Sequence, residues 1–376
     1  LALGVILYAS ALVVAQAMGV RVDSALLLIG AFSAAYTGLG GIEADIWSDV
    51  LQLVLLWGGN AACAFAVLAD RGWVVFDAIP EERMRTLVLD STGLADGSTF
   101  SFWPMLLGGV FLYMAYYGCD QSQAQRLLTA RDDREARRAL VLNGLLRFPL
   151  VLTYGVFGLI LAGLLRLDPE FASAMAGEAP DSLVPVFMST FLPSGLRGLM
   201  FAAIFAAAMS SIDSALNSLA AVTLEDVFGT PPSRQGVWIP RVTTFSWGIF
   251  AVVSGMVFAR AGTGVIELIN QVGSAFYGPL LAVFALGVFA PGVGGRGAVS
   301  GLAAGLAGNL LLARLAPGVS WLWWNPAGFA FAVLSAFLVS GARPKGPAIV
   351  WPRREGTVLT TAFLAMLGIL LLLHQR

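Results

Sequence analysis

Histidine is all but absent from this 376-residue chain: its single imidazole is that of His374, in the C-terminal tail. Ser/His nucleophilic chemistry and a histidine-held catalytic metal therefore have no foothold in the body of the sequence, and no enzymatic activity is expected. Cysteine is nearly as scarce. Cys63 and Cys119 both fall in long apolar runs, where a structural disulfide would be unusual, so they say nothing of redox compartment. Charge is the third shortage. Only 12% of residues are charged against 58% hydrophobic, and mean hydropathy is +0.81. A soluble domain of this length cannot cover its surface with so few charges. The 22 basic and 23 acidic residues nearly cancel, and a net charge of −1 with a pI near 5.9 argues against a nucleic-acid partner. Ten-residue alternating segments, the mark of a membrane β-barrel, are missing as well.

What is present is a series of apolar stretches of about 20 residues, each long enough to cross a bilayer as a helix. They fall at about 1–20, 24–42, 46–70, 101–125, 140–166, 196–222, 236–260, 265–290, 296–316, 320–342 and 356–374. The fold class expected is all-α, a polytopic membrane protein of about eleven transmembrane helices forming a single domain over 1–376. The chain opens on Leu1 with no basic flank, and nothing like a signal-peptide cleavage site follows; the expectation is a sequence that begins inside a longer protein. Positive charge concentrates in Arg126 to Arg138 and in Arg343, Lys345, Arg353 and Arg354, which assigns both links to the cytoplasmic side. Six spans separate them, so the two assignments agree, and the segments around 71–100 and 167–195 are expected outside. The Pro-rich piece from Pro347 to Pro352 reads as loop.

Polar residues cluster at four places within these runs. The densest is Phe205-Ala-Ala-Ala-Met-Ser210-Ser211-Ile-Asp213-Ser214-Ala-Leu-Asn217-Ser218. At the helical period Ala207, Ser210, Ser214 and Asn217 share one stripe, with Ser211 and Asp213 on its shoulders. An acid at mid-bilayer costs about 2.5 to 3.5 kcal/mol on insertion scales, so it marks an ion or solute path by default. Hydroxyls, carbonyls and a carboxylate are hard donors suited to a small cation. The plainer reading is close helix packing glued by hydroxyls.

The second cluster follows Gly38, Gly40 and Gly41, which predict a tight turn before Asp49 and Gln52 enter the next span. Glu43 and Asp45 read as solvated charges near a helix N-terminus. The third runs through Tyr113, Tyr116, Tyr117, Gly118, Asp120, Gln121, Gln123, Gln125 and Arg126. So many breakers are tolerated at depth only where they face protein or a wet cavity, and tyrosines with amides suit a small organic solute. An aromatic belt followed by an interfacial cap is the alternative. The fourth comprises Glu267, Asn270, Gln271, Ser274, Tyr277, Gly278 and Pro279, where Gly-Pro permits a kink with freed carbonyls.

Taken in order, Trp47-Ser48-Asp49-Val50-Leu51-Gln52, Asp120-Gln121-Ser-Gln123-Ala-Gln125-Arg126 and Leu192-Pro193-Ser-Gly195-Leu-Arg-Gly198-Leu199 ahead of the Met-Ser-Ser stripe resemble the sodium:solute symporter family. The resemblance implies an inverted-repeat, broken-helix core of the leucine-transporter type. In that register residues 1–290 supply core helices three to ten, lacking the first two, and 291–376 supply three accessory helices. It implies a main sodium site using the Ala207 carbonyl and the hydroxyls of Ser210 and Ser211. A second sodium site, found in some members, resembles Asp49 with Ser210 and Ser214, and Asp213 stands where those members offer a hydroxyl. Two acids near one site could strengthen sodium binding or make one carboxyl a proton carrier. Tyr116 matches the inner-gate tyrosine, and Asn270 an amide that contacts solute in sugar-carrying members.

The expected function is thus sodium-coupled import of a small organic solute, with Tyr116, Tyr117, Asp120 and Asn270 around the solute, Na+ as coupling ion and no other cofactor. Segments 117–126 and 219–226 look more similar to the branch carrying monocarboxylates, vitamins and iodide than to the sugar branch. Sugar or polyol symport, proton coupling, a channel and a sensor built on the same scaffold remain alternatives. The expected partners are sodium, the solute and the lipid bilayer of a cell membrane, taken to be a bacterial inner membrane.

Overall fold

Peptide groups in hydrocarbon must be satisfied within their own segment, so long apolar runs wind into helices. The computed structural model describes residues 2–85, 87–96, 98–229, 236, 238–260, 265–290, 292–341 and 353–374, and over these the regular structure is helical, with only an isolated bridge between Leu94 and Val319. The main helices are α1 (Ala2–Met18), α2 (Val22–Arg71), α3 (Phe102–Cys119), α4 (Gln121–Leu128), α5 (Asp133–Leu167), α6 (Ser194–Val222), α7 (Trp238–Phe258), α8 (Val265–Phe289), α9 (Gly295–Leu315), α10 (Trp324–Ser340) and α11 (Arg353–His374). Among the described residues, eight helical segments are long and apolar enough to cross a membrane. Three shorter apolar ones, Ala2–Ala15, Val22–Gly38 and Glu355–Leu371, occupy the remaining expected runs.

One expectation is corrected. The turn predicted at Gly38, Gly40 and Gly41 does not form, because the backbone is helical from Val22 to Arg71. Glycine costs a helix only about 1 kcal/mol relative to alanine and does not forbid it. Fifty residues at about 1.5 Å each reach about 75 Å, so α2 holds both expected runs end to end. Gly38 instead offers its carbonyl, which accepts from Arg241 Nε of α7 at 3.1 Å. The side chains of Glu43 and Asp45 lie outside the described residues.

The chain divides into two compact units, Leu1–Met84 with Leu146–Ile269, and Arg85–Leu145 with Asn270–Arg376. In the first, α1, α2, α6 and α7 bundle around Leu3, Leu7, Ala11, Leu26, Ile29, Ile212, Leu216 and Ala251, each presented at helical spacing. A second core joins Cys63 and Val67 of α2 to Phe157, Ile160, Leu161 and Leu164 of α5, closed by Phe171 and Phe187. Arg71 ends α2 by pairing with Asp168 at 2.7 Å, while Asp168 Oδ1 also accepts from the N–H groups of Glu170 and Phe171 at 3.0 Å.

In the second unit, α9 and α10 pack backbone to backbone. Gly297, Gly301 and Gly305 recur every fourth residue on α9. A Cβ added at these positions would meet the carbonyl oxygens of Ala336 at 3.0 Å, Ala332 at 2.7 Å and Gly328 at 2.7 Å. Small residues at this spacing let membrane helices approach closely enough for dispersion and Cα–H···O contacts to hold them. Pro279, inside α8, lacks the N–H that would serve the Ala275 carbonyl. Asn309 Nδ2 of α9 donates to that carbonyl at 2.9 Å. Asn325 Nδ2 of α10 donates to Ser274 Oγ at 2.9 Å, so the turn before the proline is served from both neighbouring helices.

Candidate functional site

The small-residue stretch of α6 stays helical throughout, and its polar groups meet α2 within the first unit. Ser210 Oγ donates to Asp49 Oδ1, and Thr37 Oγ1 donates to Asp213 Oδ1 at 2.6 Å. Asp213 is 1% exposed and Thr37 4%. Ser214 Oγ and Ser218 Oγ turn back along α6 to the carbonyls of Ser210 and Ser214, at 2.9 and 2.8 Å. That habit lets hydroxyls sit in an apolar helix without stranding a donor, and leaves their lone pairs facing outward. Gln52, one turn beyond Ser48 and Asp49, keeps Oε1 buried with no donor among the described residues.

The buried edge of the stripe is displaced from the one helical spacing suggests. Asp213 and Ser214 are buried, Ala207, Ser210 and Asn217 half-buried, and Ser211 exposed. Asp213, on a shoulder in the sequence reading, is therefore the deepest polar group of the cluster, because α6 turns that side toward α2. Thr37 was invisible as a partner. It stands in an apolar run just before a glycine and reads as a helix end, and only the packing of α2 on α6 gives it a carboxylate.

The tyrosine cluster lies in the second unit. Helix α3 ends at Cys119, Asp120 adopts extended backbone (φ −78°, ψ 122°), and α4 begins at Gln121, so the expected break is present. Asp120 makes the break cheap: Oδ1 accepts from Ser122 N at 2.8 Å and Ser122 Oγ at 2.6 Å, capping α4. Tyr116 Oη accepts from Gln123 Nε2 at 2.8 Å across the break. Tyr117 Oη donates to Asn143 Oδ1 of α5 at 2.9 Å, a partner sequence reasoning did not find. Tyr113, Tyr116 and Tyr117 form a chain of rings with centroids 6.2 and 5.1 Å apart. Asn270 is half-buried in the first turns of α8, and Tyr277, farther along that helix, is within electrostatic reach of Tyr116 and Asp120. Asn309 and Asn325 were also missed. Pro279 was the available signal, since a proline mid-helix implies an orphan carbonyl and hence an amide donor on a neighbour.

The profile of the sodium:solute symporter family matches residues 1–305. Similar proteins include the human sodium/iodide cotransporter, 28% identical over 323 residues covering 82% of this chain and 49% of that protein. They also include the sodium-dependent multivitamin transporter of Oryctolagus cuniculus, 31% identical over 320 residues (81% and 48%), and human sodium-coupled monocarboxylate transporter 1, 30% identical over 321 (82% and 51%). The chain spans about half the length of the curated relatives it matches. Its fold is shared with a Na+-coupled sialic acid symporter solved in a substrate-bound, outward-open state, with a TM-score of 0.75 at 24% identity over 92% of this chain and 72% of that one. With a family match over most of its length, the chain belongs to the sodium:solute symporter family.

Proposed function

We propose that this protein is a sodium-coupled secondary active symporter that imports a small organic solute by alternating access, in the cell membrane and specifically a bacterial inner membrane. The observation that carries the reading is the pairing of the Asp49 carboxylate with the Ser210 hydroxyl inside otherwise apolar helices. Such a group of oxygens is costly unless a cation or proton uses it. Sodium would be held by the Ala207 carbonyl with Ser210 and Ser211 at one position, and by Asp49, Ser210, Ser214 and Asp213 at another. The buried Gln52 oxygen, without a donor among the described residues, suits a cation nearby. One charge moving down about 100 mV supplies about 2.3 kcal/mol, and a tenfold sodium ratio adds about 1.4 kcal/mol. That work reaches the solute only if sodium favours the conformation that binds it.

Tyr116, Tyr117, Asp120 and Asn270 would surround the solute, with Asp120 acting chiefly through the end of α4 that it caps. A monocarboxylate or vitamin-like anion is the solute class the named relatives support. The burial of Asp213 between α6 and α2 favours one second reading, in which its carboxyl carries a proton. Counterflow uptake of labelled lactate, pantothenate, glucose and inositol into proteoliposomes tests both. Lactate or pantothenate uptake that requires sodium is expected. Uptake that follows a pH gradient without sodium would favour the proton reading, and uptake of sugars alone would overturn the solute class.

A further inference from the structure

The start of α5 carries a stripe that changes character along its length. Arg134, Arg137, Arg138, Val141, Leu142 and Leu145 follow one helical face, at steps of three and four residues, and all six line a groove of about 740 Å³ within the second unit. Its opposite wall is the first two turns of α11, through Glu355 and Val358. The groove is therefore cationic at one end and apolar at the other.

Three guanidinium groups here sit at the wrong end of their helix. They occupy the first turns of α5, where the aligned peptide dipoles already leave partial positive charge. Among the described residues none of the three makes an ion pair, and Glu135 spends its carboxylate on the Arg131 N–H at 2.8 Å. Asp133 and Glu355, both on the groove wall, offset two of the three charges, which leaves one positive charge in excess. A phosphodiester carries one negative charge, and arginine's planar fork matches its oxygens. The helix N-terminus adds its own attraction for phosphate.

We propose that this groove is a binding site for one anionic glycerophospholipid, with the headgroup phosphate against Arg134, Arg137 and Arg138 and an acyl chain along Leu142, Leu145 and Val358. The apolar half argues for a lipid over a soluble phosphate, because a free anion gains nothing from three leucine and valine side chains below its site. Arginines at the ends of spans stand at headgroup depth, so the lipid needs no other route to reach them.

The test uses the purified protein, delipidated in detergent and then titrated with phosphatidylglycerol, with phosphatidylcholine, and separately with inorganic phosphate, counting retained molecules by native mass spectrometry. One phosphatidylglycerol per chain is expected to be retained, with phosphatidylcholine weaker and inorganic phosphate unable to displace it. Each arginine near a membrane surface contributes about fivefold in affinity, so Arg134→Gln, Arg137→Gln and Arg138→Gln together should weaken binding about a hundredfold. Leu142→Gln, which keeps all three arginines and the charge of the groove, should weaken phosphatidylglycerol and leave inorganic phosphate unchanged. Equal retention of phosphatidylglycerol by the parent and by both variants would overturn the proposal, as would displacement by millimolar phosphate. Should the triple substitution fail to fold, Leu142→Gln alone decides between these outcomes.

Discussion

Thr37 Oγ1 donates to Asp213 Oδ1 at 2.6 Å, joining the first half of α2 to the middle of α6 through a bond from which water is excluded. A buried hydrogen bond contributes about 0.5–1.5 kcal/mol, and removing one partner alone costs more than deleting both. Thr37→Val should therefore lower the melting temperature in detergent by several degrees, and Asp213→Asn should absorb much of that loss when the two are combined. Additive effects in the double-mutant cycle would show that the two side chains do not act on each other.

The sodium role proposed for the Asp49 and Ser210 pair has its own test. Ser210→Ala with Ser211→Ala should raise the sodium concentration for half-maximal uptake severalfold in protein that still reaches the membrane. Asp49→Asn should lower the Hill coefficient for sodium, or the charge moved per solute, while solute binding at saturating sodium survives. A stoichiometry indifferent to Asp49→Asn and to Asp213→Asn would return both acids to structural roles.

Outside the membrane, Asp96 organises the loop before α3. Its carboxylate accepts from Ser91 Oγ at 2.8 Å and from the N–H groups of Ser98, Thr92 and Gly93 at 3.1, 2.7 and 3.0 Å, and these bonds, the Ser91 hydroxyl first, hold its pKa well below the ordinary range. A carboxyl depressed in the folded state contributes stability above its unfolded pKa of about 3.9 and loses it only as pH falls through the lower folded value. Exchange of the Thr92, Gly93 and Ser98 amides should thus stay slow from pH 7 to pH 4. Asp96→Asn should speed it across that range. Loss of protection in the parent near pH 4 would contradict this.

Two glycines, one on α3 and one on α9, predict opposite signs for one chemical change. Glycine to alanine in an open helix position stabilises by about 0.5–1 kcal/mol. At Gly109 of α3, where a new Cβ meets nothing within 4 Å, that gain should appear. At Gly301 the same methyl would lie 2.7 Å from the Ala332 carbonyl oxygen, and overpacking of this kind costs about 1–3 kcal/mol. Melting curves of Gly109→Ala and Gly301→Ala should move in opposite directions.

Helix positions were legible because hydrocarbon allows one local solution, and the break at Asp120 was legible because its breakers are consecutive in the chain. The turn at Gly38 was misread for a related reason: glycine records what a backbone is able to do, whereas neighbouring packing decides what it does. Partners were the least legible feature. Nothing in the apolar run around Thr37 points to Asp213, 176 residues away, and Asn143 as the acceptor for Tyr117 depends on how α3 meets α5. Fold and motif order are carried by local composition and spacing, whereas the depth of Asp213 and the exposure of Ser211 depend on the rotation of α6 about its axis, which two adjacent serines leave undetermined.

The bond that Pro279 removes from α8 has passed to Asn309 of α9, and this changes what kind of joint the proline can be. An unassisted proline kink is a free pivot. Here the swing of α8 about residue 279 is tethered by an amide on the adjacent helix, so bending α8 either breaks that tether or drags α9 with it. Because α9 is locked to α10 along three glycines, the load passes to both. A bend of α8 at residue 279 would thus have to carry α9 and α10 along with it.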